Sequence, residues 1–195
     1  MDNEIEKIDF LPQIATSARI VLASMAICCI IYSLVILGVG QFFAPYSANG
    51  SLIRNEQGVI VGSETIAQEF SRPEYFWPRP SAVEYNASAT GGSNLSPTSP
   101  KLHSRAESII AKLCVSSDRK VPADLVTASG SGMDPHVTLR AAEYQAQRVA
   151  SARGLQVSDV MKILAEHSKR TGGFLTPEPL VNVLIVNMAL DRIGG

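Results

Sequence analysis

Cysteine is nearly absent from this 195-residue chain: of three, Cys28 and Cys29 are adjacent in an apolar run and Cys114 stands alone. That excludes a disulfide framework and any zinc-finger spacing. Histidine is equally sparse, and His103, His136 and His167 lie too far apart in sequence to suggest a metal site. Charge of one sign is missing too. The 17 basic and 18 acidic residues leave a net charge of −1 with no block of like charge, which excludes the footprint of a nucleic-acid binder. No Gly-x-x-x-x-Gly-Lys-Ser/Thr phosphate loop occurs, and the glycines around Gly91 and Gly132 lack the lysine that would reach a phosphate. Ser131, Asp134 and His136 are the residue types of a hydrolytic triad. They lie on one short loop, which does not readily orient three groups in series. No pair of carboxylates shares an inward helical face, and no repeat is visible. The residues assign no catalytic group and no metal ligand, and they point to a non-catalytic subunit or a binding module.

What is present is a long apolar run. Ile20 to Val39 reads IVLASMAICCIIYSLVILGV, and no charged residue lies between Arg19 and Arg54. A helix of about 20 residues crosses a hydrocarbon core of about 30 Å. Residues 1–19 read as an N-terminal tail, 20–43 as a transmembrane helix, and 44–195 as one soluble domain. The acidic start, Met1-Asp2-Asn3-Glu4, is unlike a secretory signal, so the helix is read as retained, although Gly38, Gly40 and Ala44 would permit cleavage. Lys7 and Arg19 precede the span and Arg54 follows it, which favours a cytoplasmic N-terminus and a domain on the outer face. Ser24 and Cys28 are small and four apart, a face on which another helix could pack closely.

Beyond the span, residues 51–54 and 58–61 read as a hairpin about Asn55-Glu56-Gln57, and Glu64 to Phe70 as one or two helical turns. Residues 71–100 hold five prolines and a Gly91-Gly92 pair, the composition of a loop. They also hold Tyr75, Phe76, Tyr85 and the only tryptophan, Trp77, which is unlike a disordered linker. This segment therefore reads as an ordered loop. Its aromatics either rest on a partner or fill the domain's own core. A helix is predicted from a capping box at Ser104 to about Ser116, and a short strand at Leu125–Ala128. A helix capped by Thr138 should run to Arg153 with Gly154 as its stop and Ala142, Ala146 and Val149 inward. Ser158 should cap the next, with Val160, Ile163 and Leu164 inward. Pro179 should open a last buried helix. The fold class is α+β: one N-terminal transmembrane helix followed by a single soluble α/β-type domain.

Several stretches, in order along most of the chain, resemble the C subunit of the Kdp-type bacterial potassium-transporting ATPase. They are the single N-terminal span, Asn49–Ile53, Tyr75–Ala82 (YFWPRPSA), Tyr85-Asn86-Ala87, and Gly91–Leu95 (GGSNL). Leu125–His136 (LVTASGSGMDPH), Arg148–Arg153, Val181–Leu184, Asn187, Leu190 and Asp191 complete the set. Pro78 departs from the pattern, which usually has glycine before Arg79-Pro80-Ser81.

The resemblance implies a single-pass subunit of the bacterial inner membrane. It would be an accessory in a high-affinity potassium uptake complex, with a channel-like subunit, an ATP-hydrolysing subunit and membrane lipid as partners and no nucleic acid. The Asp-Lys-Thr-Gly phosphorylation motif of the ATP-hydrolysing subunit is absent. The family role proposed for this subunit is a catalytic chaperone that raises ATP affinity. The glutamine concerned corresponds to Gln145, with Arg148 beside it, and ATP would be met only through the complex, with no firmly bound cofactor. A domain on the outer face has no ATP, so assembly and stabilisation is the preferred mechanism, with Gln145 and Arg148 alternatively on a solvated helix face. The partner interface is assigned to Tyr75, Phe76, Trp77, Arg79, Tyr85, Ser93 and Asn94. A single-span anchored sensor or binding domain outside a pump is the alternative.

Overall fold

The computed structural model describes residues 10–113, 120–170 and 178–193, and the chain divides into two units after Ser51. In the first, α1 (Phe10–Met25), a π turn (Ala26–Ile31) and α2 (Tyr32–Phe43) form one continuous helix, none of it buried, with a mean hydropathy of 2.8 over its most apolar window. The helix begins ahead of the expected span and takes in Phe10–Arg19 of the expected tail. The π turn carries Cys28 and Cys29, and the Tyr32 N–H reaches back five residues to the Ile27 carbonyl. Proline opens α3 (Pro45–Ala48), where Asn49 Nδ2 donates to the Pro45 carbonyl at 2.7 Å.

In the second unit, β1 (Leu52–Arg54) and β2 (Ile60–Ser63) form the expected hairpin. A separate antiparallel sheet has the order β3–β5–β4, with β5 (Leu180–Asn182) between β3 (His136–Thr138) and β4 (Ser168–Lys169). Three helices cover it: α5 (Leu139–Arg153), α6 (Val157–Glu166) and α7 (Val183–Asp191). Their inward stripes meet in one core that includes Ala142, Ala146, Val149, Val160, Leu164, Val186 and Leu190, with Val137 and Val181 from the sheet. The fold is α+β.

The ends of α5 fall where local chemistry sets them. Thr138 Oγ1 accepts from the Ala141 N–H at 3.2 Å, and Gly154 turns left-handed at φ 67° just past Arg153. Elsewhere tertiary contacts override the local signals. Glu64–Phe70 is not helical: it turns at Glu64–Ile66 and then runs irregularly, with the Ala67 N–H donating to the Met133 carbonyl and Gln68 Nε2 to the Val61 carbonyl. Helix α4 (Pro100–Leu113) starts ahead of the Ser104 capping box, because Pro100 opens it and the Ser99 carbonyl accepts its first bonds; its expected end at Ser116 lies outside the described residues. Leu125–Ala128 is no strand: Ala123–Leu125 is a 3-10 turn, and both the N–H and hydroxyl of Thr127 bond the Ala123 carbonyl. Gln156, not Ser158, precedes α6. The expected last helix begins instead as β5, and Asn182 caps α7 by accepting from the Ile185 N–H.

Candidate functional site

Between β2 and α4 the backbone takes no regular form from Glu64 to Ser99. Buried backbone groups still need partners, and here side chains of α5 and α7 supply them. The Asn187 carboxamide accepts from the Phe76 N–H at 2.8 Å and donates to the Phe76 carbonyl at 3.0 Å. The Gln145 carboxamide does the same at the next residue, accepting from the Trp77 N–H at 2.9 Å and donating to the Trp77 carbonyl at 3.1 Å. An amide carries one acceptor beside a two-hydrogen donor, so each reproduces the pairing of a neighbouring β-strand. Both residues are 1% exposed.

Two arginines of α5 secure the approach to this bracket. Arg148 Nη1 donates to the carbonyls of Pro73 and Tyr75 at 2.6 and 2.9 Å, and Nη2 to Gln145 Oε1 at 2.6 Å. Its guanidinium lies 4.0 Å from the Trp77 ring centre, within cation–π range. Arg153 Nε donates to the Glu74 carbonyl at 2.7 Å, and its Nη2 pairs with Asp191 of α7 at 2.7 Å. The Tyr75 hydroxyl donates to the other Asp191 oxygen at 3.3 Å while accepting from Arg72. Prolines 73, 78 and 80 bring no N–H to satisfy, which shortens the donor side of the account.

The far half of the loop interlocks with residues 128–136. Ser81 Oγ donates to the Gly132 carbonyl at 2.6 Å and accepts from the N–H groups of Val83 and Tyr85. The Ser129 N–H bonds Pro80 and the Gly91 N–H bonds Ser131. Gly132 sits at φ +71°, where an added Cβ would lie 2.7 Å from Val83 Cγ2 and 2.9 Å from the Gly91 carbonyl. The Tyr85 hydroxyl donates to the Arg79 carbonyl at 2.9 Å, and burial, with the charge of Glu69, pushes its pKa to about 12. Arg79 pairs with Asp134 at 3.3 Å, and the other Asp134 oxygen accepts from the His136 N–H and faces its Nδ1. Burial raises the Asp134 pKa, but hydrogen bonds from the His136 ring and N–H, with the charges of His136 and Arg79, outweigh it and hold the carboxyl below its usual value. Ser131 Oγ is turned to the Met133 N–H.

The structure thus sorts the sequence-predicted residues. Tyr75, Trp77, Arg79 and Tyr85 are half-buried on the loop, Ser93 is half-buried and Asn94 is exposed. Phe76, grouped by sequence with the partner-facing aromatics, is core at 1% exposed, because both of its peptide groups are drawn inward onto Asn187. Gln145 is not on a solvated face, and its oxygen accepts two bonds while its nitrogen donates to Trp77 and Ala141, which fills the carboxamide. Ser24 and Cys28 are exposed in the first unit. Sequence spacing gave no hint of the roles of Arg153, Asn187 and Asp191, since Asn187 lies 111 positions from its partner. Among the described residues no cluster of His, Cys, Asp or Glu could hold a metal ion.

Of the stretches that carried the sequence resemblance, Tyr75–Ala82, Leu125–His136, Arg148–Arg153, Asn187 and Asp191 meet here, scattered over more than 100 positions. Comparison with known proteins agrees. The family KdpC, described as K+-transporting ATPase, c chain, matches residues 14–192. Proteins named potassium-transporting ATPase KdpC subunit are 49% identical in Parvibaculum lavamentivorans (91% of this chain, 95% of that one) and 43% in Myxococcus xanthus (92% and 88%). A third, from Geobacter sulfurreducens, is 45% identical over 84% of this chain and 88% of its own. The chain belongs to the KdpC family, the c chain of K+-transporting ATPases.

Proposed function

We propose that the protein is an accessory, non-catalytic subunit of a high-affinity ATP-driven potassium uptake complex. In this reading Phe10–Phe43 is its single span in the bacterial inner membrane, the N-terminus is cytoplasmic, and the folded unit stands on the outer face. The relatives' shared name along nearly the whole chain supports the subunit role, and the basic residues before the span favour the orientation.

The bracketed loop is the assembly surface. One observation carries this reading: Gln145, Arg148, Arg153, Asn187 and Asp191 are all spent on holding residues 73–77 in one shape, with Tyr75 and Trp77 left half-buried at the surface. Loop residues Tyr75, Trp77, Arg79, Tyr85, Ser93 and Asn94 then rest on the channel-like subunit, and rigid aromatic and arginine anchors are the residue types that dominate such contacts. Any effect of this chain on ATP affinity reaches the ATP-hydrolysing subunit through that contact. It involves no nucleotide touching Gln145, whose hydrogen-bonding capacity is filled within the chain.

The test is copurification. Asn94→Asp places a charge at an exposed loop position whose φ of 48° asparagine and aspartate both tolerate, without touching the bracket. It should release the channel-like subunit while the chain keeps its wild-type thermal unfolding. Full retention of the complex overturns the reading. An alkaline phosphatase fusion after Gly195 should be active; an inactive fusion, with a cytoplasmic reporter active instead, reverses the orientation and reopens nucleotide contact.

A further inference from the structure

The two faces of the β1–β2 hairpin differ in character. One is covered. Ile53 and Val61 are half-buried there, Gln68 Nε2 donates to the Val61 carbonyl at 2.9 Å, and the Gln68 carboxamide lies directly against Gly62. The other face opens toward the turn. Leu52 and Arg54 share it by the two-residue period, and Ile60, the register partner of Arg54, joins them across the ladder, while Ser63, the partner of Leu52, is buried at the end away from the turn. Val59 follows the turn beside them. Of the large apolar side chains exposed beyond Ser51 among the described residues, namely Leu52, Val59, Ile60, Ile110 and Ile193, three belong to this one hairpin. Apolar residues scattered singly on a surface need no explanation, but a cluster on a short hairpin does.

Chain length says what is within reach. Only Ala44–Ser51 separate the apolar helix from β1, and four of those residues, Pro45–Ala48, are helical. Such a connector reaches at most roughly 25 Å. The connector holds no charged residue and carries Tyr46, and Phe42 and Phe43 close the helix before it, the aromatic signature of a membrane interface. Arg54 adds the complementary charge. Its Nη1 donates to the Gly58 carbonyl at 2.9 Å, one of the five N–H donors a guanidinium carries, on a side chain suited to phosphate.

We infer that the open face of β1–β2 lies on the lipid surface of the membrane its own helix crosses, with Leu52, Val59 and Ile60 at the headgroup–acyl boundary and Arg54 on lipid phosphate. Apolar side chains beside a basic one are what a surface-lying element presents to anionic bilayers. The hairpin then acts as a second foothold on the membrane, in addition to the span. This rests on the reading that Phe10–Phe43 spans the bilayer, and the experiment tests that separately.

The full chain, with Cys28, Cys29 and Cys114 changed to serine, is reconstituted into vesicles of phosphatidylethanolamine and phosphatidylglycerol containing a spin-labelled quencher lipid. An environment-sensitive fluorophore is placed at Val59→Cys, at Val35→Cys in the span, or at Ser158→Cys on exposed α6. The expected result is strong quenching at positions 35 and 59 and none at 158. Quenching at 35 but not 59 overturns the inference and leaves the span standing. No quenching at 35 removes the span and the inference with it. Quenching at 59 that disappears when the other pump subunits are co-reconstituted, while that at 35 persists, shows that a protein covers the hairpin and also overturns it. Arg54→Gln should lower the quenching at 59, and more in vesicles with phosphatidylglycerol than in phosphatidylcholine alone, where choline balances the phosphate charge; no change in either lipid removes the phosphate contact.

Discussion

Asn187→Leu isolates the hydrogen bonds of the bracket from its packing. Leucine matches the branching and heavy-atom count of asparagine with bulkier methyl ends, so no cavity results, yet the N–H and carbonyl of Phe76 both lose their partner at a site where Phe76 and Asn187 are each 1% exposed. A buried backbone group left unpaired costs about 1–3 kcal/mol, so two of them cost about 2–6 kcal/mol. Some of this returns if the loop shifts to admit water. For a domain of this size each kcal/mol is worth about 3 °C, so the unfolding midpoint should fall by about 6–18 °C. The assay is thermal unfolding of the full chain in detergent, followed by the emission of Trp77, whose own peptide groups are held by Gln145 in the adjacent half of the bracket. Gln145→Leu should act in the same direction, and the double variant should cost less than the sum of the two. Once one peptide is released its neighbour loses its fixed position, and coupling between such neighbours is about 0.5–3 kcal/mol. A midpoint for Asn187→Leu within about 1 °C of wild type, or strict additivity of the pair, refutes the bracket as the element that holds the loop.

Asp134→Asn tests the Arg79–Asp134–His136 cluster through pH. A carboxyl whose pKa falls on folding stabilises the fold fully above its unfolded value of about 4, and this contribution is lost as pH falls through the folded value. The stability gap between wild type and variant should be level at neutral pH and shrink progressively below about pH 4 in acid titrations of unfolding; a gap that stays constant to about pH 2 contradicts the assignment. Gly132→Ala combines a left-handed backbone with a collision against Val83 and the Gly91 carbonyl, so it should destabilise by about 2–4 kcal/mol in denaturant titration, and an effect under about 0.5 kcal/mol would show that the two loops are not interlocked there.

Legibility in the sequence followed the range of the interactions. Helix α5 was readable at both ends because Thr138 and Gly154 act on backbone within three or four positions of themselves. The inward stripes of α5 and α6 were readable for the same reason, since periodicity is local. The Leu180–Asp191 segment was not: its apolar run has no alternation to separate strand from helix, and what makes Leu180–Asn182 a strand is pairing on both sides with β3 and β4. Glu64–Phe70 has a helical pattern that loses to hydrogen bonds donated by the Ala67 N–H and Gln68 Nε2 to the Met133 and Val61 carbonyls. That residues 71–100 are ordered could be read from their aromatics. How they are ordered could not, because the groups responsible stand 68 positions away at Gln145 and 111 at Asn187. Pro78 stands at the first position past the bracket, where no N–H of the chain has to be matched by a carboxamide.

The placement of Asn187 and Asp191 on the last helix has a consequence for the order in which the protein is made. A ribosome delivers Phe76 long before it delivers α7, and loop closure across 111 positions is slow compared with the formation of local turns and helices. The hairpin and the aromatic segment therefore leave the ribosome ahead of the groups that will hold them. Throughout that interval Tyr75, Phe76 and Trp77 stand without the groups that will hold them. Synthesis of Asp191 ends the interval, so the loop takes its shape only in a chain that has been translated nearly to its end.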